Sequence, residues 1–189
     1  MAAVDHANID RLARQAQSGD RRAYSQIVQT MISPLTALTC RMTGDRQSGL
    51  DLVQEVFITG WERIHQFRGE SHFASWLYRI AVNKSLNYRA GQSGRGEVAV
   101  ADLAETLASS AIETNPEQHW QQERLRQDFL RFMATLPEQQ RAVFELRFYE
   151  QLSFPEIAQI LDRALGTVKT HYREAVKKLR DWAVQKGWR

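Results

Sequence analysis

The chain is poor in the residues that build several classes of protein. It has one cysteine and four prolines in 189 residues. A single thiol, Cys40, can close no internal disulfide, and no cysteine or histidine stands near it at metal-ligand spacing. Its expected place is a small core position on a helix. No apolar run approaches the ~20 residues needed to span a bilayer. Met1–Asp10 has neither the basic nor the apolar segment of a secretory leader, so a cytoplasmic protein is expected. No segment alternates convincingly with period two, and no repeat of solenoid type is present. The five histidines, His6, His65, His72, His119 and His171, are scattered along the chain. No nucleophile–base pair, phosphate loop or metal set emerges from spacing, so no enzyme, cofactor or small-molecule substrate is expected.

What the chain does have is long 3.6-residue periodicity and 43% apolar residues, enough to build helical cores. The net charge of +3 is modest but unevenly spread. From His72 to Gly96 there is no acid against Arg79, Lys84, Arg89 and Arg95. From Gly166 to Arg189 seven Lys/Arg face only Glu174 and Asp181, whereas Glu97–Glu117 carries five acids and no base. Two basic blocks around an acidic stretch fit two polyanion-binding surfaces with something else between them, and they also fit ordinary solvated faces. The run Gly91-Gln-Ser-Gly-Arg-Gly96, then small and acidic residues to Asn115-Pro116, reads as a flexible linker with a short helical turn near Asp102–Leu107. The expected architecture is all-α: a domain over 1–90, a linker over 91–116, and a second domain over 117–189. Each domain is small enough to need a partner for part of its stability.

In the C-terminal block, Ser153-Phe-Pro-Glu156 is a capping box with proline in the first turn. Thr135-Leu-Pro-Glu138 looks like the same device one helix earlier. Ile157, Ala158 and Leu161 give a short amphipathic helix, and Asp162–Leu165 a turn. A second helix is expected to open near Gly166-Thr167, with Val168, Tyr172, Ala175 and Leu179 as its buried stripe. Its other face is polar and basic, as a helix-turn-helix reading helix requires. Thr170, His171 and Arg173 are the expected base readers, with Thr167, Lys169, Lys177 and Lys178 on phosphates. A plain amphipathic hairpin is the alternative.

In the N-terminal block, Leu50, Val53, Phe57, Trp61 and Ile64 define one helical face. Asp51, Gln54, Glu55 and Glu62 lie opposite, with Ile58 among them. Either this is a solvated acidic face, or Ile58 anchors a basic partner protein that the carboxylates select. Phe67–Trp76 then forms a loop running into a helix from about Phe73 to Tyr88. Trp76, Leu77, Ile80 and Ala81 are its expected core. Arg79, Asn83 and Asn87 step by four along another face beside Lys84 and Arg89, a set suited to single-stranded nucleic acid.

These residues carry a resemblance. Asp51-Leu-Val-Gln-Glu-Val-Phe57, Phe67-Arg-Gly and Phe73-x-x-Trp-Leu-x-x-Ile-Ala-x-Asn83 resemble region 2 of the extracytoplasmic-function (ECF) sigma factors. Leu136-Pro, Leu152-Ser-x-x-Glu-Ile-Ala158 and Gly166-Thr-Val-Lys169 resemble their region 4. The Thr-Val-Lys-Thr-His run also occurs in response-regulator effector domains, so it is the order of the two halves that is specific. The resemblance covers residues 10–90 and 117–182. It implies an alternative sigma factor with no chemistry of its own, often tied to stress responses. Core RNA polymerase, through its β′ and β subunits, and promoter DNA would be its partners.

Under that resemblance Asp51, Gln54, Glu55 and Ile58 would dock on the β′ coiled coil. Gly69, Glu70, Ser71, His72 and Phe73, with Arg79, Asn83, Lys84 and Asn87, would open the −10 element and hold a flipped base. Thr167, Lys169, Thr170, His171, Arg173 and Lys177 would read the −35 duplex, and the linker would thread toward the RNA exit path. An anti-sigma factor, membrane-bound in many members, would restrain the protein and could hold it at the inner membrane face by clamping both halves. His171, Glu174 and Val176 stand where many relatives carry arginines, and Asn87 where an aspartate is frequent. The promoter sequence is therefore not transferable from relatives. A stand-alone helix-turn-helix regulator is the second reading, although residues 1–90 lack a receiver-like βα alternation.

Overall fold

The computed structural model describes residues 5–92 and 116–187, without the side chains of 92, 116–123 and 126. The proposed linker, apart from its ends, and the turn near Asp102–Leu107 lie outside the described residues. Among these, all regular structure is helical: α1 His6–Gln17, α2 Arg21–Thr43, α3 Arg46–Glu62, a 3-10 turn Ile64–Gln66, α4 Phe73–Gln92, α5 Pro116–Thr135, α6 Glu138–Phe148, α7 Phe154–Leu161 and α8 Leu165–Gln185. The all-α expectation holds.

The first three helices start alike. Asp5, Asp20 and Asp45 each accept a hydrogen bond from a first-turn N–H, relieving donors that a helix start leaves unpaired. Gly44 closes α2 in the left-handed region (φ 79°), which turns the chain directly into α3. Pro34 lies inside α2 and removes one of its backbone bonds, yet the helix continues through it for nine more residues.

Helices α1–α4 bury Ile9, Leu12, Ile27, Met31, Leu35, Leu38, Val56, Leu77 and Val82 against one another. Closeness between α2 and α3 depends on Gly49. A Cβ there would sit 2.5 Å from Cys40 Sγ and 2.7 Å from the Cys40 backbone. Cys40 is thus a sealed core residue, as its sequence context suggested. Burial pushes its thiol above the ordinary range, against the opposing pull of Arg46 and Arg41.

In the C-terminal half, α6, α7 and α8 pack through Val143, Leu146, Ile157, Ile160 and Val168. The end of α5 closes on α8 by stacking Phe132 on Trp182 at 4.9 Å between centroids. The Ser153–Glu156 capping box forms as expected, and Asp162 ends α7 in the left-handed region (φ 51°). The Thr135 device does not. Thr135 is still the last residue of α5 and its hydroxyl donates to the Phe132 carbonyl, leaving Pro137 to start α6 without a side-chain cap. A single residue, Leu136, between Thr135 and the N-cap Pro137 is too short a break for a second box. The reading helix opens one residue before Gly166, and α4 runs four residues beyond Tyr88.

The two halves meet along a seam where α2 faces α6 and α4 faces α7. One apolar cluster runs across it, joining Leu38, Tyr78 and Val82 to Val143, Leu146 and Leu152. At its centre Arg41 on α2 donates to Glu145 and, over 2.8 Å, to Glu150, with side chains 2–4% exposed. Its guanidinium lies 4.0 Å from the centroid of the Tyr149 ring, and the Tyr78 hydroxyl donates to Glu150 (2.8 Å). Burial outweighs Arg41 at Glu145 and keeps that carboxyl above its usual range.

Gly49→Ala should cost about 1–3 kcal/mol by overpacking, despite a helix-propensity gain of about 1 kcal/mol, read from urea unfolding. Arg41→Ala, which strands two buried carboxylates, should cost about 3–5 kcal/mol at neutral pH. The deficit should shrink in acid. A Glu145 carboxyl whose folded pKa lies above its unfolded value favours folding at low pH, and losing Arg41 raises it further.

Candidate polymerase and nucleic-acid interfaces

On α3, Asp51, Gln54, Glu55 and Ile58 recur at i, i+3, i+4 and i+7 and share one exposed face. Ile58 is 58% exposed, a large apolar side chain in a ring of polar ones. Asp51 accepts from Gln47 (3.0 Å) and Glu55 pairs with Lys84 Nζ (2.8 Å). The last contact joins two sets that the sequence had assigned to different partners. Lys84 stands at the border between the acidic face and the α4 face.

The loop before α4 is held from behind by a residue that sequence reasoning missed. Asp10 on α1 accepts the Phe73 N–H through one oxygen (2.7 Å) and meets His72 Nδ1 through the other (2.7 Å). It therefore caps α4 from another helix. Nothing local in sequence signals a cap 63 positions away. Gly69 takes a positive φ of 75°, which turns the loop. Glu70 and His72 are exposed and Ser71 is half-buried. Phe73 is fully buried, its ring edge-on to Phe67 and tilted against Trp76. Its backbone belongs to the loop and its side chain to the core, so among the expected −10 residues it has no side-chain surface to offer. Asn83 and Asn87 are exposed, as is Arg79, whose Nη2 lies 3.9 Å from Asp162 of the helix-turn-helix.

On α8, Thr167, Lys169, Arg173 and Lys177 are exposed, and Thr170 and His171 half-buried. Val168 and Ala175 are fully buried and Tyr172 and Leu179 partly so, which fixes the stripe expected from periodicity. Glu174 is accounted for: its carboxylate accepts from Gln140 Nε2 (2.6 Å) and lies 3.9 Å from His171 Nδ1. Lys178, expected on phosphate, instead donates to Gln140 Oε1 (2.9 Å). Two clefts lie between the loop and α7, of about 460 Å³ and 260 Å³, and they set Glu70 and Ser71 opposite Gln159. The fold also brings His6 and His72 together with Glu156, a group no spacing in the sequence revealed.

The family model "Sigma-70 region 2" matches residues 27–95, and "Sigma-70, region 4" matches 126–179. The chain is 36% identical over 175 residues to the ECF RNA polymerase sigma-E factor of Escherichia coli K12, covering 87% of this chain and 90% of that protein. The chain belongs to the ECF sigma factors. A second sigma factor, the RNA polymerase sigma-H factor of Pseudomonas aeruginosa, is 30% identical over 88% of this chain and 91% of its own length. Among solved structures the fold matches CnrH in complex with the cytosolic domain of CnrY, with TM-score 0.69 and 25% identity over 92% of this chain and 96% of that one. It also matches the sigma factor RpoE of Bartonella quintana in complex with the anti-sigma factor NepR, with TM-score 0.64 and 22% identity over 84% and 95%. As an alternative sigma factor the chain acts in promoter-specific transcription initiation by RNA polymerase; the region 2 match runs from within α2 through α4, and the region 4 match from within α5 into α8. No described helix is long and apolar enough to cross a membrane.

Burial separates core from surface positions within the expected −10 set. Phe73→Ala should cost about 3–5 kcal/mol in urea unfolding, whereas Asn83→Ala should stay within about 0.5 kcal/mol of the parent.

Proposed function

We propose that this sigma factor uses three separate faces. The acidic face of α3, with Ile58 as its apolar anchor, docks on core polymerase, where Asp51, Gln54 and Glu55 select a basic partner. The loop 69–72 and the Arg79–Asn83–Asn87 face take the melted −10 strand: amides can hydrogen-bond an extruded base while Arg79 meets backbone phosphate. The exposed side of α8 enters the −35 major groove, with Arg173 and Thr170 at base edges and Thr167, Lys169 and Lys177 on phosphate. Residues 1–90 and 117–189 form the two functional units, joined by 91–116.

The observation that carries this reading is the exposure pattern of α8. A helix whose buried stripe is closed by α6 and α7 presents Thr167, Lys169, Arg173 and Lys177 together to solvent, as duplex reading demands. The chain supplies binding energy and strand separation and leaves catalysis to the polymerase. It works in the cytoplasm. An anti-sigma factor restrains it, as NepR is bound to the Bartonella sigma factor. Two halves that already meet along one seam give such a partner a ready target.

Run-off transcription with reconstituted core polymerase tests the whole reading. The free chain should bind core polymerase tightly and promoter duplex poorly; tight sequence-specific duplex binding without polymerase would favour a stand-alone regulator instead. In the holoenzyme, Lys177→Ala should weaken binding evenly across promoters and reduce the salt slope by about 1. Arg173→Ala should cost about 1–3 kcal/mol and relax preference at one −35 position.

A further inference from the structure

Three side chains that can ligate metal converge at the outer end of the seam. His6 begins α1, His72 ends the loop before α4, and Glu156 lies in the first turn of α7, so the three come from both halves of the chain. One ligand atom from each lies within 4.8 Å of the others. The His6 and His72 rings stand edge to face, 4.6 Å between centroids.

Each of the three is prepared for a ligand in its own way. His72 Nδ1 is engaged by Asp10 Oδ2 at 2.7 Å, which orients the ring and leaves Nε2 as the free coordinating nitrogen. A carboxylate behind a histidine is the usual outer partner of a metal-bound imidazole. His6 Nδ1 is buried with no hydrogen-bond partner, and a buried ring nitrogen left so is uncommon. Glu156 accepts the Ser153 N–H of the capping box through Oε2 and lies half-buried beside the two histidines.

We propose that His6, His72 and Glu156 form a three-ligand site for a divalent zinc-class cation, with Asp10 as the positioning residue of His72, and that the bound ion pins α7 over the loop 69–72. Two imidazoles and one carboxylate suit zinc and its transition-metal neighbours, whereas magnesium and calcium take oxygen ligands. Tetrahedral zinc with bonds of about 2.0–2.1 Å would hold its ligand atoms about 3.4 Å apart. An ion would draw the three ligand atoms together from within 4.8 Å of one another, with the His72–Asp10 contact kept. The cleft of about 460 Å³ beside His72 and Glu156 leaves room for a water as fourth ligand.

Because the ligands come from both halves, the ion favours the closed arrangement by mass action, and does so in proportion to its free concentration. The consequence for promoter opening rests on the role proposed above for the loop 69–72. The ion binding itself does not, and it is tested on the free chain without polymerase or DNA.

The experiment titrates tag-free full-length protein with Zn2+ in competition with a chromophoric chelator, and follows amide hydrogen exchange with and without the ion. One Zn2+ should bind per chain. His6→Gln and Glu156→Gln should each weaken it by about tenfold or more. Glutamine serves in a capping box, so Glu156→Gln should keep the metal-free thermal midpoint of the parent. Zn2+ should slow exchange over 69–76 and 153–160 in the parent and in neither variant. No stoichiometric binding, or an affinity that both variants leave unchanged, overturns the site. Binding without slowed exchange in those two segments overturns the pinning.

Discussion

The arrangement of the two halves depends on one buried guanidinium. Arg41 reaches from α2 into the C-terminal half, where Glu145 and Glu150 bracket it and Tyr149 covers it. A buried charge is tolerable only where its geometry and hydrogen bonds are complete, so this group accepts one registry of α6 against α2 and penalises others. Apolar surface has no such directionality. Val143 and Leu146 could pack on the first bundle in several ways, and it is the ion pair that aligns them. From that alignment follow the placing of α7 beside α4, the clefts along the loop and the meeting of His6, His72 and Glu156.

The seam also divides the faces proposed for nucleic acid. The reading side of α8 looks to solvent, while the loop 69–72 and Arg79 face α7 and Asp162. A protein held closed in this way leaves the side of α8 proposed to read duplex open, and covers part of the face proposed for the melted strand. The seam joins an apolar cluster to a set of charges and tyrosine hydroxyls, and water rehydrates the polar part as the halves separate. Two-state behaviour between closed and open forms is thus compatible with the chemistry of the contact.

Much of this was legible in the sequence, for local reasons. Helix periodicity placed α3, α4, α7 and α8 within a few residues, and Ser153-Phe-Pro-Glu156 marked the start of α7 because a capping box involves only four neighbours. Ile58 stood out because an apolar residue among acids is visible without a fold. What failed was whatever depended on context. Thr135 matched the capping pattern but had no room between two helices. Phe73 was grouped with the loop by its place in the chain, and its ring is buried in the core. Glu174, which stands where many relatives carry arginines, meets Gln140, 34 residues earlier, a partner that no local pattern shows. Arg41, Glu145 and Glu150 were unreadable because partners 104 and 109 residues apart leave no periodic trace. The same is true of the histidines, scattered in the chain and adjacent in space.

The contact between Gly49 and Cys40 has a practical side. The only thiol in the chain sits beneath the backbone of α3, where no Cβ would fit between them, and burial also keeps it protonated. Thiol-directed reagents need an exposed thiolate, so Cys40 in the folded chain is silent toward them. A cysteine introduced anywhere on the surface becomes the one addressable handle without removing the native residue. Conversely, any reaction at Cys40 itself is a clock for the separation of α2 from α3, built into the protein without a label.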